Sequence, residues 1–153
     1  MAEAAARGAS TETGVIVKLL RAADARAEDV LAADGYIFVT PENLASMAGM
    51  MKDFFDRTYY AALDRIAGRA YATLICAGSD GANAVRQIDR ICTGLKLKKV
   101  AEPVVAVKTN TADKLEQARE LALALVGEGR VVAREFRGTG RGRPGHAPRA
   151  AGR

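Results

Sequence analysis

Two short apolar runs constrain the fold of this chain more than any other feature of its sequence. Residues 35–40 (GYIFVT) and 70–77 (AYATLICA) are nearly continuous stretches of apolar and β-branched residues. Strands of this composition are buried on both faces. Each run is followed along the chain by a segment whose apolar residues recur at helical spacing, so strands and helices alternate. Such alternation predicts a parallel sheet with helices on both of its faces.

Two further runs extend this pattern to an open, doubly wound α/β sheet. Residues 14–20 (GVIVKLL) and 103–108 (PVVAVK) predict two more strands, and Pro41 is expected to end the strand at 35–40. Five helices are also predicted, and Ser46 is the expected N-cap of the third. They span residues 1–9, 25–33, 47–62, Gly81 to Gly94, and Asn110 or Thr111 to Gly127. The face of the third of these helices that carries Met47, Met50, Met51, Phe54, Phe55 and Ala62 is expected to point inward.

The charge of the chain is concentrated at its C-terminal end. The chain of 153 residues fits one domain and has a net charge of +5. The five arginines of residues 137–153 account for this charge, so residues 1–136 are neutral. We therefore expect no basic nucleic-acid-binding face on a domain formed by residues 1–136. Residues 137–153, rich in arginine and glycine, are predicted to be a disordered tail without aromatic residues for stacking on bases.

Location and cysteine chemistry are only weakly constrained by the sequence. No apolar run approaches the ~20 residues that a membrane span requires, and the alanine-rich N-terminus, which carries Glu3, does not resemble a signal peptide. Cys76 and Cys92 both lie among apolar neighbours and show no metal-ligand spacing. A cytoplasmic protein with two small, buried cysteines is the resulting expectation.

Two loops at the ends of predicted strands are the candidate ligand site. Residues 40–46 follow the first apolar run and residues 77–81 follow the second. Ligands of open parallel sheets bind at the carboxyl ends of the strands. Because both loops lack histidines, strong nucleophiles and metal-ligand clusters, they suit a neutral ring with polar edges better than acid–base hydrolysis. The alternative is structural: Ser79 or Asp80 would serve only as the N-cap of the following helix.

The two loops and their neighbours also resemble a known family. Residues 35–60 (GYIFVTPENLASMAGMMKDFFDRTYY) resemble a strand, loop and helix of flavodoxin-like NAD(P)H-dependent FMN reductases and related flavodoxin-family proteins. Residues 74–95 resemble the strand, glycine-rich loop and helix that come next in those proteins. The resemblance implies bound FMN, with NAD(P)H as electron donor and no catalytic side chain, because the cofactor carries the redox chemistry. It also implies two sets of residues around the isoalloxazine ring: Pro41, Glu42, Asn43, Leu44, Ser46 and Met47 beside it, and Gly78, Ser79, Asp80 and Gly81 over its other edge.

The chain departs from that family at its N-terminus. The family pattern begins with a strand and a phosphate-binding loop, whereas this chain opens at Met1-Ala2-Glu3-Ala4, which resembles the middle of the first helix. The expected fold is therefore a flavodoxin-like sheet that lacks its first strand, with a gap of roughly 9.6 Å between strands 14–20 and 35–40. We expect Met1 to be an internal methionine of a longer reading frame.

The sequence leaves several functions open. The first is an FMN-dependent NAD(P)H oxidoreductase or a flavodoxin-type electron-transfer protein, with a nicotinamide or a redox protein as partner; related reductases commonly form homodimers. The second is a flavin-free structural or interaction module, which the missing phosphate loop favours. A signalling receiver domain would use Lys108, but the strand ending in Val39-Thr40-Pro41 lacks the aspartate that such a domain phosphorylates.

Overall fold

The computed structural model describes residues 1–137, with side chains described as far as Glu128. Except for Arg137, the predicted tail lies outside the described residues. Within the described part, no helix has both the length and the apolar character needed to cross a membrane. The elements in chain order are α1 (Ala2–Ser10), α2 (Ala27–Ala32), β1 (Gly35–Asn43), β2 (Ser46–Met47), α3 (Gly49–Ala62), β3 (Ala70–Ala77), α4 (Ala82–Gly94), β4 (Lys98–Lys99), β5 (Val104–Val107) and α5 (Ala112–Arg137).

The sheet is built around β3 and is mostly parallel, as predicted. β1 runs parallel to β3 in a register that pairs Gly35 with Ala70 and Pro41 with Cys76. On the other edge of β3, β4 pairs with its first residues and β5 with its last four, both in parallel. β2 pairs antiparallel with the end of β1. Because the long strands run in one direction, the loops that follow β1, β3 and β5 emerge at the same edge of the sheet.

Helices cover both faces of the sheet, which makes the fold doubly wound. Alternate residues of a strand point to opposite faces. Tyr71 and Ile75 of β3 belong to the larger apolar cluster, which also contains core residues of α3 and α4. Ala72 and Leu74, both fully buried, belong to a second cluster with residues of α1 and α5. The near-continuous apolar character of β3 is thus explained by its position between two helical layers.

The prediction of a strand at residues 14–20 is wrong. Residues 15–20 belong to no helix or strand, and in the described part of the chain they pair with no strand. Val15 and Val17 pack partly against the cluster under α1 and α5, whereas Ile16 is 91% exposed. A β-branched run forms a strand only where a neighbour supplies backbone partners, and among residues 1–137 this segment has none.

Two predicted element ends are also wrong. Pro41 does not end β1, which continues to Asn43 because the chain turns back into β2 there. A proline is tolerated in a strand that has a free edge. As far as Pro41, β1 pairs only with β3 and its other edge is free, because the pairing with β2 begins at Glu42. Gly127 does not end α5, which continues to Arg137. An internal glycine costs a helix only about 1 kcal/mol, so Gly127 alone does not end α5.

The start of α3 also differs from the prediction. Ser46 is not its N-cap but lies in β2, and the helix begins at Gly49 after Ala48. Met50, predicted to face inward, is 53% exposed, whereas Met51 is buried. The hairpin places the first helical turn later than the apolar spacing indicated, so Met50 falls on the outer face.

Thr73 offers a test of the packing of β3. It is fully buried, and its hydroxyl is the one buried side-chain polar atom without a hydrogen-bond partner among the described residues. We expect Thr73→Val to raise the free energy of unfolding by about 1 kcal/mol, because it removes an unsatisfied polar group with little change of shape. Urea denaturation measures the change.

Thr40→Val is the matched control for that prediction. Thr40 is equally buried, but its hydroxyl donates to the Pro41 carbonyl and accepts the Ala48 amide at 3.1 Å each. The same substitution should therefore destabilise the protein at position 40. If Thr73→Val instead lowers the free energy of unfolding, the Thr73 hydroxyl must have a hydrogen-bond partner, which would contradict the structure.

Candidate functional site

The two predicted loops lie side by side at the carboxyl edge of the sheet. They are neighbours because β1 and β3 are adjacent parallel strands. The side chain of Glu42 joins them: its Oε2 accepts hydrogen bonds from Ser79 Oγ at 3.2 Å and from the Gly81 amide at 3.3 Å. The structure thus brings together the two loops that the sequence grouped as a site.

The first loop is a tight hairpin with an unusual turn. Leu44 and Ala45 connect β1 to β2 and have φ angles of 50° and 58°. This left-handed region favours glycine and asparagine, and each other residue held there costs about 1–3 kcal/mol. The Leu44 side chain is fully exposed at 102%. Strain of this kind persists only where the surrounding structure holds the turn in place.

Helix α4 provides that support. Asn83 Nδ2 donates to the Ala45 carbonyl at 2.6 Å. Gln87 Oε1 accepts from Ser46 Oγ at 2.9 Å and from the Met47 amide at 3.0 Å. Neither side chain was predicted as part of the site, although their spacing of one helical turn beside the apolar face of α4 can be seen in the sequence.

The second loop closes tightly onto the sheet at Gly81. Its φ is +67°, and a Cβ there would lie 2.8 Å from Val105 Cγ1 and 3.1 Å from Ile75 Cγ2. Asp80 Oδ1 accepts the Ala82 amide at 2.9 Å, a local bond that closes the turn before α4. The N-cap of α4 is Gly81, so neither Ser79 nor Asp80 is the N-cap that the structural alternative predicted. At Gly78, by contrast, a Cβ would meet nothing within 4 Å. The loop is therefore packed at its end and open at its start.

The predicted residues differ in how much surface they offer to a ligand. Met47 is 4% exposed, and its side chain belongs to the core cluster with α3 and α4. The exposed residues form a rim around the junction of the two loops. Glu42 and Ser46, which are half-buried, and Gly81, which is buried, also belong to this rim. The exposed members are Pro41, Asn43, Leu44, Gly78, Ser79 and Asp80.

A cleft that the sequence did not indicate adjoins the second loop. It has a volume of about 240 Å³, and Cys76, Gly78, Lys108 and Asn110 are among its lining residues. Cys76, predicted to be buried, is half-buried, with its Sγ 3.5 Å from Asn110 Oδ1. It lies one residue before the end of β3 and lines the cleft. Cys92 is buried as predicted, and burial strongly raises the pKa of its thiol.

The chemistry of the rim fits the ring end of a flavin. It offers an exposed apolar side chain at Leu44, an amide at Asn43, and open space over the backbone at Gly78. A planar ring with polar edges requires such a mixture of apolar surface and a few hydrogen-bonding groups.

A family model matches most of the chain. The family model described as NADPH-dependent FMN reductase matches residues 4–112, more than half of the chain. No curated protein matches the chain significantly.

Solved structures with low sequence identity share the fold. A flavodoxin from the domain Archaea aligns with a TM-score of 0.72 at 16% identity, over 84% of this chain and 87% of that one. A WrbA-like flavodoxin from Agrobacterium tumefaciens aligns with a TM-score of 0.66 at 18% identity, over 84% and 87%. Rubredoxin oxygen:oxidoreductase from Desulfovibrio gigas aligns at 0.73 and 16% identity over 85% of this chain, which spans only 32% of that protein. With a flavodoxin-like fold and the match to the family model, the chain belongs to the NADPH-dependent FMN reductase family.

Proposed function

We propose that this protein is an FMN-dependent oxidoreductase that accepts electrons from NAD(P)H, with the flavin ring between residues 41–47 and 78–81. The observation that carries the proposal is the contact of Glu42 with Ser79 and Gly81, which joins two loops of the carboxyl edge into one rim. Family membership supplies the cofactor, and the rim supplies a place for its ring.

Each loop has a separate role in this proposal. Leu44 would contact a face of the ring, because it is a fully exposed apolar side chain held in a fixed turn. The backbone at Gly78 would border the ring, because apart from Gly78 and its two chain neighbours no described atom lies within 4 Å of the position that a Cβ would take there. Asn43, exposed at the end of β1, would bond a polar edge. Bound FMN supplies the electron-accepting group, so the protein need only orient the ring and keep access open for the donor.

The proposal that a nicotinamide is the electron donor rests on the description of the family. Solvent exposure of the rim at Leu44, Gly78 and Ser79 is consistent with access for a second planar ring. A flavodoxin-type electron carrier is the second candidate, because the archaeal flavodoxin shares the fold over most of both chains. The two candidates differ in whether a nicotinamide reduces the flavin directly.

Titration of the full chain with FMN tests the proposal. We expect quenching of flavin fluorescence and a yellow protein after removal of free FMN, followed by bleaching when NADPH or NADH is added without oxygen. Bleaching by dithionite but by neither nucleotide would contradict the reductase and favour the electron carrier. A protein that stays colourless with excess FMN would contradict both and favour the flavin-free module.

A further inference from the structure

We infer that Gln87 is a positioning residue, which holds the β1–β2 hairpin in the arrangement that receives the flavin; this inference rests on the proposed function. Gln87 lies in the second turn of α4, outside both loops that the sequence and the family resemblance assign to the cofactor. Its Oε1 accepts two hydrogen bonds from the hairpin, one from Ser46 Oγ and one from the Met47 amide.

The orientation of the Gln87 amide follows from its partners. A backbone N–H can only donate, so the group that faces the Met47 amide must be the oxygen of Gln87 rather than its nitrogen. The same oxygen receives the Ser46 proton. The Ser46 hydroxyl is then committed as a donor to Gln87, and its lone pairs are left to accept a hydrogen bond from an N–H group of a ligand.

The hairpin requires this support because its own pairing is short. Only two residue pairs join β1 to β2, Glu42 with Met47 and Asn43 with Ser46. Its two turn residues are both in the left-handed region without being glycine. A two-stranded hairpin is marginally stable without packing against another element. The contacts from α4 therefore help to fix Leu44 and Asn43 at the rim, together with the burial of Met47.

The same helix begins at the second loop, which couples the two halves of the site. Gly81 is the N-cap of α4, and Gln87 lies further along the same rigid helix. A shift of the hairpin along α4 would have to break the bonds at Gln87 and the bond of Asn83 to Ala45, in addition to those of Glu42. Gln87 therefore contributes to the distance between the loops, together with Asn83 and the direct bonds of Glu42 to Ser79 and Gly81.

The experiment uses three variants of the full chain. Gln87→Leu removes the acceptor at similar size, Gln87→Glu keeps an acceptor oxygen, and Arg86→Leu changes an exposed neighbour on the same helix. Gln87→Ala replaces the leucine variant if that variant does not fold. Two quantities are measured for each: the hydrogen-exchange rate of the Met47 amide without flavin, and the dissociation constant for FMN.

We expect Gln87→Leu to accelerate Met47 exchange and to raise the FMN dissociation constant, each about tenfold, because it removes both hydrogen bonds and each contributes only modestly in net terms. Gln87→Glu should restore both quantities toward the wild-type values, and Arg86→Leu should change neither. Rescue by the conservative variant separates positioning from general packing.

Three outcomes would overturn the inference, and they are distinguishable. Unchanged Met47 exchange in Gln87→Leu would show that the hairpin does not depend on this side chain. Faster exchange with unchanged FMN affinity would show that the hairpin is held there but that its position does not affect the flavin. A wild-type protein that binds no FMN would defeat the proposed function, and the positioning role with it, whatever the exchange rates.

Discussion

Replacing Ile88 with alanine is expected to lower the free energy of unfolding by about 2–5 kcal/mol. Ile88 is fully buried on the inner face of α4 and belongs to the larger apolar cluster. Truncation removes buried apolar surface and leaves a cavity that the rigid surroundings fill only in part. Chemical denaturation followed by circular dichroism measures the loss.

Ile16→Ala is the matched control, because it makes the same chemical change at a position that is 91% exposed. We expect a change within about 0.5 kcal/mol there. Similar losses at both positions would contradict the structure, since they would mean that residues 15–20 are packed as tightly as α4. The pair therefore tests the finding that the Ile16 side chain points away from the core, between the partly packed Val15 and Val17.

Replacing Gly81 with alanine is expected to cost about 2–4 kcal/mol and to weaken FMN binding, because it combines backbone strain with overpacking. The φ of +67° disfavours any side chain, and the new Cβ would lie 2.8 Å from Val105 Cγ1. Both effects act at the point where the second loop enters α4, so the loop should shift away from the hairpin. Thermal denaturation and FMN titration measure the two effects.

Gly78→Ala makes the same change in the same loop and serves as the control. Its Cβ would meet nothing within 4 Å, so stability should change by no more than about 0.5 kcal/mol. FMN affinity should nevertheless fall, because the proposed ring lies over this backbone. Equal stability losses in the two variants would argue against the close packing at Gly81.

The sequence predicted the central elements well because local pattern and tertiary environment agree there. β3 spans Ala70–Ala77 as predicted, since a strand covered on both faces is apolar at nearly every position. Residues 14–20 have a similar composition, but strand formation depends on a neighbouring strand, which local composition does not reveal. The boundaries at Pro41 and Gly127 were wrong because each breaking residue costs little where it stands.

The position of the candidate site could be predicted from the sequence, but the hydrogen bonds that hold its first loop could not. Parallel strands end at one edge, so the loops around Asn43 and Gly78 could be expected to meet there. The hydrogen bonds from Asn83 and Gln87 depend on how α4 packs against the hairpin, and polar residues on a half-buried helix face are not distinguished by sequence from solvated ones. The left-handed turn at Leu44 and Ala45 was equally hidden, because neither residue type indicates it.

The central claim is that a flavin ring rests between the hairpin and the second loop, and backbone amide chemical shifts on addition of FMN test it most directly. The account predicts that the largest shifts fall on residues 42–46 and 78–81, with small shifts at the opposite, amino-terminal edge of the sheet around Gly35 and Ala70. Saturable FMN binding that leaves the amides of both loops unshifted would contradict it.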